Sequence, residues 1–400
     1  MARSVPGARP LPAIPPTVWT LGFVSLFMDL SSELVHSLLP VFLVSTLGAS
    51  VLTVGVIEGI AEAATPVVKV FSGALSDFFR RRKELILLGY GMAALTKPLF
   101  PLATTAEAVF IARFLDRIGK GIRGAPRDAL VADVAPPAIR GACFGLRQSM
   151  DTVGAFLGPS LAILLMFWLA NDIKQVLWLA VIPAFITVLL IVFGIRETEG
   201  MSARHRFRSP IRLDALKHFS GNYWRVVAIG AIFTLARFSE AFLILRAQQV
   251  GFAITWVPLV MVVMSLAYSF SAYPAGILSD RMNRQHLLAV GLLLLILADL
   301  VLACAASSLI VLLGVALWGL HMGFTQGILA AMIADVTPPE LKGTAFGLFN
   351  LASGLFMLLA SVIAGGLWDR YGAATTFYVG AAFSLSSLVM LTSFARRHQG

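Results

Sequence analysis

The stretch ADVAPPAIRGACFGL at Ala132–Leu146 recurs as ADVTPPELKGTAFGL at Ala334–Leu348, 202 positions later. A second motif recurs at almost the same distance: GALSD at Gly73–Asp77 is followed by GILSD at Gly276–Asp280, 203 positions later. Two separate motifs that share nearly one offset indicate an internal repeat. We therefore expect one architecture to occur twice along the chain.

The composition predicts that both halves lie in a membrane. Hydrophobic residues make up 58% of the 400 residues and charged residues 13%, against ~45–50% and ~25% in a soluble domain. The apolar residues form twelve stretches, each long enough to cross a hydrocarbon core of ~30 Å as a helix. The predicted spans are 18–46, 52–76, 84–103, 106–132, 140–168, 175–195, 222–248, 255–279, 286–305, 308–334, 342–367 and 374–395. This composition excludes a water-soluble enzyme.

We predict an all-α membrane protein with twelve transmembrane helices in two pseudo-symmetric six-helix bundles. The predicted domains are a cytoplasmic tail at 1–17, a first bundle at 18–195, a cytoplasmic linker at 196–220 and a second bundle at 221–400. The linker is the longest polar connection. Both copies of the repeat start on the same side of the membrane, which is typical of transporters with a site between two parallel repeats.

The net charge of the chain is +10, and the positions of its basic residues predict how the chain is oriented in the membrane. Basic residues cluster in alternate connections, and the connections between them carry almost none. The clusters are Arg80–Lys83, Arg140, Arg204–Lys217, Arg281 with Arg284, Lys342, and Arg396 with Arg397. By the positive-inside rule, both termini and the linker are cytoplasmic. No nucleic-acid motif accompanies the charge, so nucleic acid is not a predicted partner.

At the repeated motifs the chain resembles the major facilitator superfamily, and the resemblance covers Val18 to Phe394. In that family, G-x-L-x-D followed by basic residues lies after the second helix, as Gly73–Asp77 and Arg80–Lys83 do here. The resemblance implies a transporter that works by alternating access. It also implies a latch whose carboxylate pairs with a cation or a helix N-terminus in only one conformation.

The gating residues implied by this resemblance lie in both halves. They are Gly73, Asp77, Arg81, Asp133, Arg140, Asp280, Arg284 and Asp335. Asp133 with Arg140, and Asp335 with Lys342, lie at matching corners of the two halves and are candidate partners of this latch. Alternatively, the arginines only enforce the topology.

The fifth span carries a helix-packing motif formed by Gly145, Gly154, Gly158 and Pro159. The spacing resembles a motif associated with antiporters of the superfamily, although Ala162 and Ile163 replace its final glycine pair. The motif favours export. Glycines at these steps also suit static helix packing.

Charged residues inside the spans of the first half form stripes at helical spacing. They are Asp29, Glu33 and His36; Glu58, Glu62 and Lys69; Arg113, Asp116, Lys120, Arg123 and Arg127 with Arg117 beside them; and Arg147 with Asp151. The second half has fewer, namely Arg237, Glu240, His321, Gln326 and Asn350. Because each charge costs ~2.5–3.5 kcal/mol to insert, we expect these groups to face a cavity or a partner. A neutral network of salt bridges that only holds helices together is the alternative.

From these stripes we predict the functional residues. Asp29, Glu33 and Glu62 are the predicted proton carriers. The predicted substrate-binding residues are Glu33, His36, Glu58, Glu62, Lys69, Arg113, Asp151, Arg237, Glu240, His321, Gln326 and Asn350. Arg113-Phe-Leu resembles the family's fourth-helix motif, whereas Arg117 with Gly121, Gly124 and Ala125 matches the spacing of that motif, so either arginine is a candidate.

The resulting prediction is a monomeric inner-membrane transporter that exports a small polar or charged solute in exchange for protons. A zwitterion, an organic anion or a metal chelate would each suit the mixed charges. No cofactor or metal site is predicted. An importer by symport, a facilitator, and a receptor or lipid-handling protein on the same scaffold are the alternatives.

Overall fold

The computed structural model of the chain describes residues 13–79, 81–195, 216–217, 219–338 and 341–396. Its elements before the linker are helices. They are α1 (Pro16–Val41, continued by a π-helical turn at Phe42–Thr46), α2 (Val51–Phe79), α3 (Arg82–Thr96), α4 (Leu99–Leu102), α5 (Ala106–Val134), α6 (Arg140–Trp168, preceded by a 3-10 turn at Pro137–Ile139), α7 (Ile173–Leu179) and α8 (Val181–Gly194). We call residues 13–195 the N-terminal half.

The C-terminal half, residues 219–396, is also helical. Its helices are α9 (Gly221–Ala236), α10 (Ala241–Gln249), α11 (Leu259–Arg281, preceded by a 3-10 turn at Ile254–Trp256), α12 (Arg284–Ala303), α13 (Ser308–Asp335), α14 (Lys342–Tyr371) and α15 (Ala373–Arg396).

Local chemistry explains where several of these helices start. The chain enters α1 at Pro16, two residues before the predicted start, because the fixed φ of proline suits the first helical turn. Polar side chains cap α5, α7 and α9: Thr105, Asp172 and Ser220 accept hydrogen bonds from backbone N–H groups of the first turn. Pro40 lies inside α1, and the π-helical turn follows it two residues later.

Eleven segments in the described part of the chain are long and apolar enough to cross a membrane. Three of them contain a break: α3 with α4, α7 with α8, and α9 with α10 each form one segment. Of the twelve predicted spans, the one absent from this set is 106–132, which forms α5. With 29 residues α5 is long enough, but its charged stripe makes it too polar by composition alone.

The short connections lie at two ends of the molecule. The basic end carries residue 81 and the connections 135–139, 282–283 and 336–338; the distal end carries 47–50, 103–105, 169–172, 250–258, 304–307 and residue 372. Within the halves, α1 packs on α6, α3 on α5, and α12 on α13 and α15. The most extensive contact between the halves joins α2 to α14.

Glycines allow the close approach of α2 and α14. A Cβ on Gly55 would overlap the carbonyl oxygen of Ser361, and one on Gly365 would lie 2.7 Å from Cα of Leu52. Backbone therefore meets backbone along this contact, which lies toward the distal end.

Candidate functional site

Arg113 of α5 lies fully buried against two glutamates of α2. Its Nε donates to Oε1 of Glu58 at 3.0 Å and its Nη2 to Oε2 of the same carboxylate at 2.7 Å. This bidentate geometry is the strongest form of an arginine–carboxylate pair. Glu58 is completely excluded from solvent, so the guanidinium of Arg113 takes the place of water as its hydrogen-bond partner.

The other members of this cluster surround that pair. Arg117 forms an ion pair with Oε1 of Glu62 at 2.8 Å, and Nη2 of Arg113 donates a hydrogen bond to the same oxygen at 3.4 Å. His36 of α1 lies between Glu33, at 3.4 Å, and Glu58, at 3.8 Å. The charged stripes of α1, α2 and α5 thus lie against one another in the structure. Both candidate fourth-helix arginines contact Glu62.

A third buried cation, Lys97, was missed from the sequence. It lies between α3 and α4, where its Nζ donates to Asp116 at 2.8 Å and to Ser32 at 3.1 Å. Both charged partners are almost completely buried. A lysine inside an apolar segment and directly before Pro98 was the available signal.

A second ionic cluster lies closer to the basic end. Arg127 of α5 and Arg147 of α6 approach Asp151 at 3.7 and 3.6 Å. The carboxyl group of Asp29 in α1 lies within hydrogen-bonding range of that of Asp151. Asp29, predicted as a proton carrier, therefore belongs to a pair of neighbouring carboxyl groups.

Lys69 lies apart from the groups with which it was predicted to act. Its ammonium group is half-exposed and 4.0 Å from Asp128, whereas Glu58 and Glu62 of the same helix contact Arg113. Lys69 is seven residues after Glu62, about 10 Å along the helix axis. The helical spacing correctly placed Lys69 on the same face of α2 as Glu58 and Glu62, but Lys69 lies at a different position along the helix axis.

A cavity of about 380 Å³ lies between α2 and three helices of the C-terminal half. Its lining residues are Glu62, Pro66, Phe233, Thr234, Arg237, Thr325, Leu329, Ala330, Phe349, Asn350, Ser353, Gly354 and Met357. Glu62, Arg237 and Asn350 are thus the predicted substrate-binding residues that reach it. Glu33, His36, Glu58, Arg113 and Asp151 were also predicted to bind substrate but are not among the lining residues, and they contact other ionic groups.

Arg237 lies where the segment formed by α9 and α10 is interrupted. Residues 237–240 are not helical, and the guanidinium of Arg237 packs 5.8 Å from the ring centre of Phe233. Among the described residues, no carboxylate approaches it within ion-pair distance, although Glu240 lies in the same break. Broken helices beside a cavity are typical of transporter binding sites.

Four buried polar side chains of the C-terminal half lack hydrogen-bond partners in the described part of the structure. The groups concerned are the carboxylate of Asp299, the indole nitrogen of Trp318, both ring nitrogens of His321 and the hydroxyl group of Ser384. His321 was a predicted binding residue, and its ring contacts those of Phe233 and Trp318. Asp299 was missed because a single acidic residue in the apolar helix α12 has no charged neighbour at helical spacing.

The two halves are joined at the distal end by polar contacts. The carboxylate of Asp369 in α14 accepts hydrogen bonds from the first backbone N–H groups of α2, from Val51 at 3.2 Å and Leu52 at 2.8 Å. Gln248 donates to Ser45 at 2.6 Å. In the described residues, the hydrogen bonds between the halves all lie at this end of the molecule.

Comparison with known proteins identifies the family to which this chain belongs. A sequence profile of the Major Facilitator Superfamily matches residues 21–259 and 229–399. The chain belongs to the major facilitator superfamily. An uncharacterized MFS-type transporter of Methanocaldococcus jannaschii is 32% identical over 380 residues, which cover 94% of each protein.

Two further similarities bear on the superfamily assignment. The multidrug resistance protein MdtH of Photorhabdus laumondii is 31% identical over 157 residues, 39% of this chain and 38% of that protein. A POT family transporter solved with 5-aminolevulinic acid has a TM-score of 0.81 at 12% identity and covers 96% of both chains. The expected superfamily is thereby confirmed, and the proteins with this fold are transporters rather than enzymes.

Two of the predicted gating aspartates, Asp133 and Asp335, form ion pairs with arginines. Asp133 pairs with Arg82 at 3.0 Å, not with Arg140, which is exposed. Asp335 pairs with Arg284 rather than Lys342. Arg82 and Asp133 both lie 202 positions before Arg284 and Asp335. The repeat therefore places one equivalent ion pair in each half, between the start of one helix and the end of another.

Other predicted gating residues have local roles or lie outside the described residues. Arg81 pairs with the neighbouring Glu84 at 3.0 Å, and both are exposed. Gly73 lies near Ala125 of α5, where a Cβ would be 3.4 Å from the alanine side chain. The side chains of Asp77, Asp280 and Gln326 are outside the described part of the structure.

The glycines of the antiporter-like motif pack inside the N-terminal half. A Cβ on Gly154 would overlap the carbonyl oxygen of Leu26, and one on Gly158 would lie 2.7 Å from that of Leu30. Gly145 has open space around it, and Pro159 is buried within α6. These contacts fit the static-packing alternative, because α1 and α6 belong to the same half.

Proposed function

We propose that this superfamily member is a secondary active transporter that exports a small polar or charged solute by alternating access, driven by protons moving the opposite way. The observation that carries the proposal is the cavity between the halves together with polar contacts that join the halves at the distal end. A solute site that is closed at one end is the arrangement that alternating access requires. Twelve spans in two six-helix bundles, with α5 as the fourth span, complete the proposed architecture.

The basic end is proposed to face the cytoplasm of an inner membrane, since arginine and lysine accumulate in cytoplasmic connections. Both termini then lie in the cytoplasm, and the closed distal end faces outward. In this orientation the described conformation receives solute from inside the cell. A monomer contains the complete cavity.

Proton coupling is assigned to Asp29, Glu33 and Glu62. Asp29 and Asp151 are neighbouring carboxyl groups, and two such groups repel when both are charged, so they can share one proton. Glu62 faces both the cavity and two arginines. Protonation of Glu62 would release these cations, whereas solute in the cavity would compete for them. Such competition links proton movement to solute movement.

Export is supported by the similarity to MdtH, a protein named for multidrug resistance. This similarity favours export over import. The proposal remains independent of the solute's identity.

The test uses the full-length protein in proteoliposomes. A thermal-unfolding screen of carboxylates, sulfonates, amino acids and quaternary ammonium compounds first finds stabilising compounds. Uptake of a permanently charged hit is then driven by an imposed pH gradient. We expect an acidic vesicle interior to accelerate uptake, whatever the orientation of the protein. Acceleration by an acidic exterior would instead indicate symport, and no gradient effect on any hit would contradict proton coupling.

Matched variants locate the proton carrier. Asp29→Asn, Glu33→Gln and Asp151→Asn should lose gradient-driven uptake but retain exchange of solute without a gradient. Asp172→Asn, at the exposed start of α7, serves as the control. Unchanged gradient-driven uptake in one of the three variants would remove that residue from the mechanism.

A further inference from the structure

The two charged side chains that line the cavity, Glu62 and Arg237, differ in their partners. On the α2 wall, Glu62 forms ion pairs with Arg113 and Arg117 at 3.4 and 2.8 Å. On the opposite wall, the guanidinium of Arg237 forms no ion pair or hydrogen bond with the described residues. Arg237 is therefore the charged lining residue without an ion-pair partner in the described part of the structure.

A cation without an ion-pair partner inside a membrane span is energetically costly unless a ligand or water supplies that partner. Arg237 lines the cavity. Each of its side-chain nitrogens either is accessible to solvent or has a hydrogen-bond partner. The guanidinium is thus open to the cavity. Its planar fork of N–H donors matches a carboxylate or another oxyanion.

Two more polar groups in the cavity wall are free to bind. The side chains of Asn350 and Ser353 in α14 line the cavity and make no side-chain hydrogen bond to a described residue. Phe233 and Phe349 supply aromatic walls. The cavity of about 380 Å³ lies near the small end of the ~300–1,000 Å³ range for ligand sites. This size suits a small solute.

We propose that the transported solute is a small organic anion, whose oxyanion binds Arg237 while its apolar or aromatic body packs against Phe233 and Phe349. Asn350 and Ser353 bind its remaining polar groups. This inference rests on the proposed transport function and names its substrate class. It differs from the zwitterion and the chelate, which the sequence left open.

Binding by a charge series tests the inference without requiring transport. Benzoate, benzamide and benzylammonium have similar size but negative, zero and positive charge. Their affinities for the purified full-length protein are measured by calorimetry and by thermal unfolding. We expect benzoate to bind about tenfold or more tighter than the other two, since hydrogen bonds to charged groups contribute ~1.5–3 kcal/mol.

Variants of Arg237 then assign the effect to one side chain. Arg237→Gln should weaken benzoate binding by about tenfold or more and leave benzamide unchanged, whereas Arg237→Lys should recover part of the affinity. Arg225→Gln is the matched control, because Arg225 lies on the same segment, exposed near the basic end. Benzoate should also slow phenylglyoxal modification of Arg237, followed by mass spectrometry of that peptide.

The outcomes separate this inference from the transport proposal. Failure of benzoate to bind, equal binding of benzylammonium, or benzoate binding that persists in Arg237→Gln overturns the organic-anion site. Proton-driven uptake of other compounds would survive that result. Conversely, Arg237-dependent benzoate binding without gradient-driven uptake of any compound supports the anion site and overturns only proton-coupled transport.

Discussion

The two halves share one repeated sequence pattern but differ in how their buried charged groups are paired. In the N-terminal half, Arg113 and Lys97 each have a carboxylate partner at 2.7 to 2.8 Å. In the C-terminal half, Arg237, Asp299 and His321 have no hydrogen-bond partner among the described residues. Paired charges hold helices at fixed positions, whereas unpaired ones remain available to a ligand or a proton. This comparison assigns a structural role to Arg113 and Lys97 of the N-terminal half and a binding role to the unpaired groups of the C-terminal half.

The largest expected effect comes from breaking the most buried pair. Arg113→Leu removes the arginine partner of the buried carboxyl group of Glu58, so the free energy of unfolding should fall by about 3–5 kcal/mol. Thermal or denaturant unfolding of the purified protein in detergent measures this loss. The double variant with Glu58→Leu should recover most of the stability, because no unpartnered carboxyl group remains. A single variant as stable as the parent would contradict the structural role of Arg113.

One isosteric change can be compared directly between the halves. Asp116→Asn removes the charged partner of Lys97 and should destabilise the protein by several kcal/mol, since the lysine stays buried. Asp299→Asn removes no partner that the structure describes, so its effect should stay below about 1 kcal/mol. Equal losses in both variants, measured by the same unfolding assay, would show that Asp299 has a partner after all.

A smaller effect is expected where the halves meet at the distal end. Asp369→Ala removes a carboxylate from the N-terminus of α2, a cap contribution of ~0.5–2 kcal/mol. We expect the distal end to open more often, by up to about 30-fold. Spin labels at Ala49→Cys and Ala253→Cys would report a longer distance in more molecules. An unchanged distance distribution would remove Asp369 from the closure.

The smallest effects should come from the repeated ion pairs at the basic end, where the two halves are alike. Arg82 and Arg284 are each partly exposed beside their aspartates. Arg82→Gln and Arg284→Gln should each change stability by less than about 1 kcal/mol. A large loss of stability in only one of the two variants would show that the halves also differ at the basic end.

The sequence was sufficient for the repeat, for the helices and for the faces on which charges lie. Glu58, Glu62 and Arg113 meet because i, i+4 spacing placed each stripe on one side of its helix. Helical spacing does not give the rotation of one helix relative to another or their relative depth. For that reason the pairing of Asp133 with Arg82 was not predicted, and neither was the pairing of Lys97 with Asp116.

Isolated groups are the other class that sequence periodicity misses. Asp299 stands alone in an apolar helix, and Asp369 lies near the end of another, so neither belongs to a stripe. Their environments depend on packing at Gly380, which leaves room for the Asp299 carboxylate, and on the close approach of α2 and α14. Such contacts arise between residues far apart in the chain, beyond the reach of a local pattern.

The glycine contact between α2 and α14 also sets how the protein can leak. Gly55 and Gly365 bring backbone against backbone, so no side chain can rotate there to open a narrow passage. Tightly packed contacts of this kind switch between discrete arrangements instead of deforming gradually. In the proposed transport cycle, the distal end would therefore be either shut or fully parted, so that a proton gradient would not be dissipated through a partly open pore.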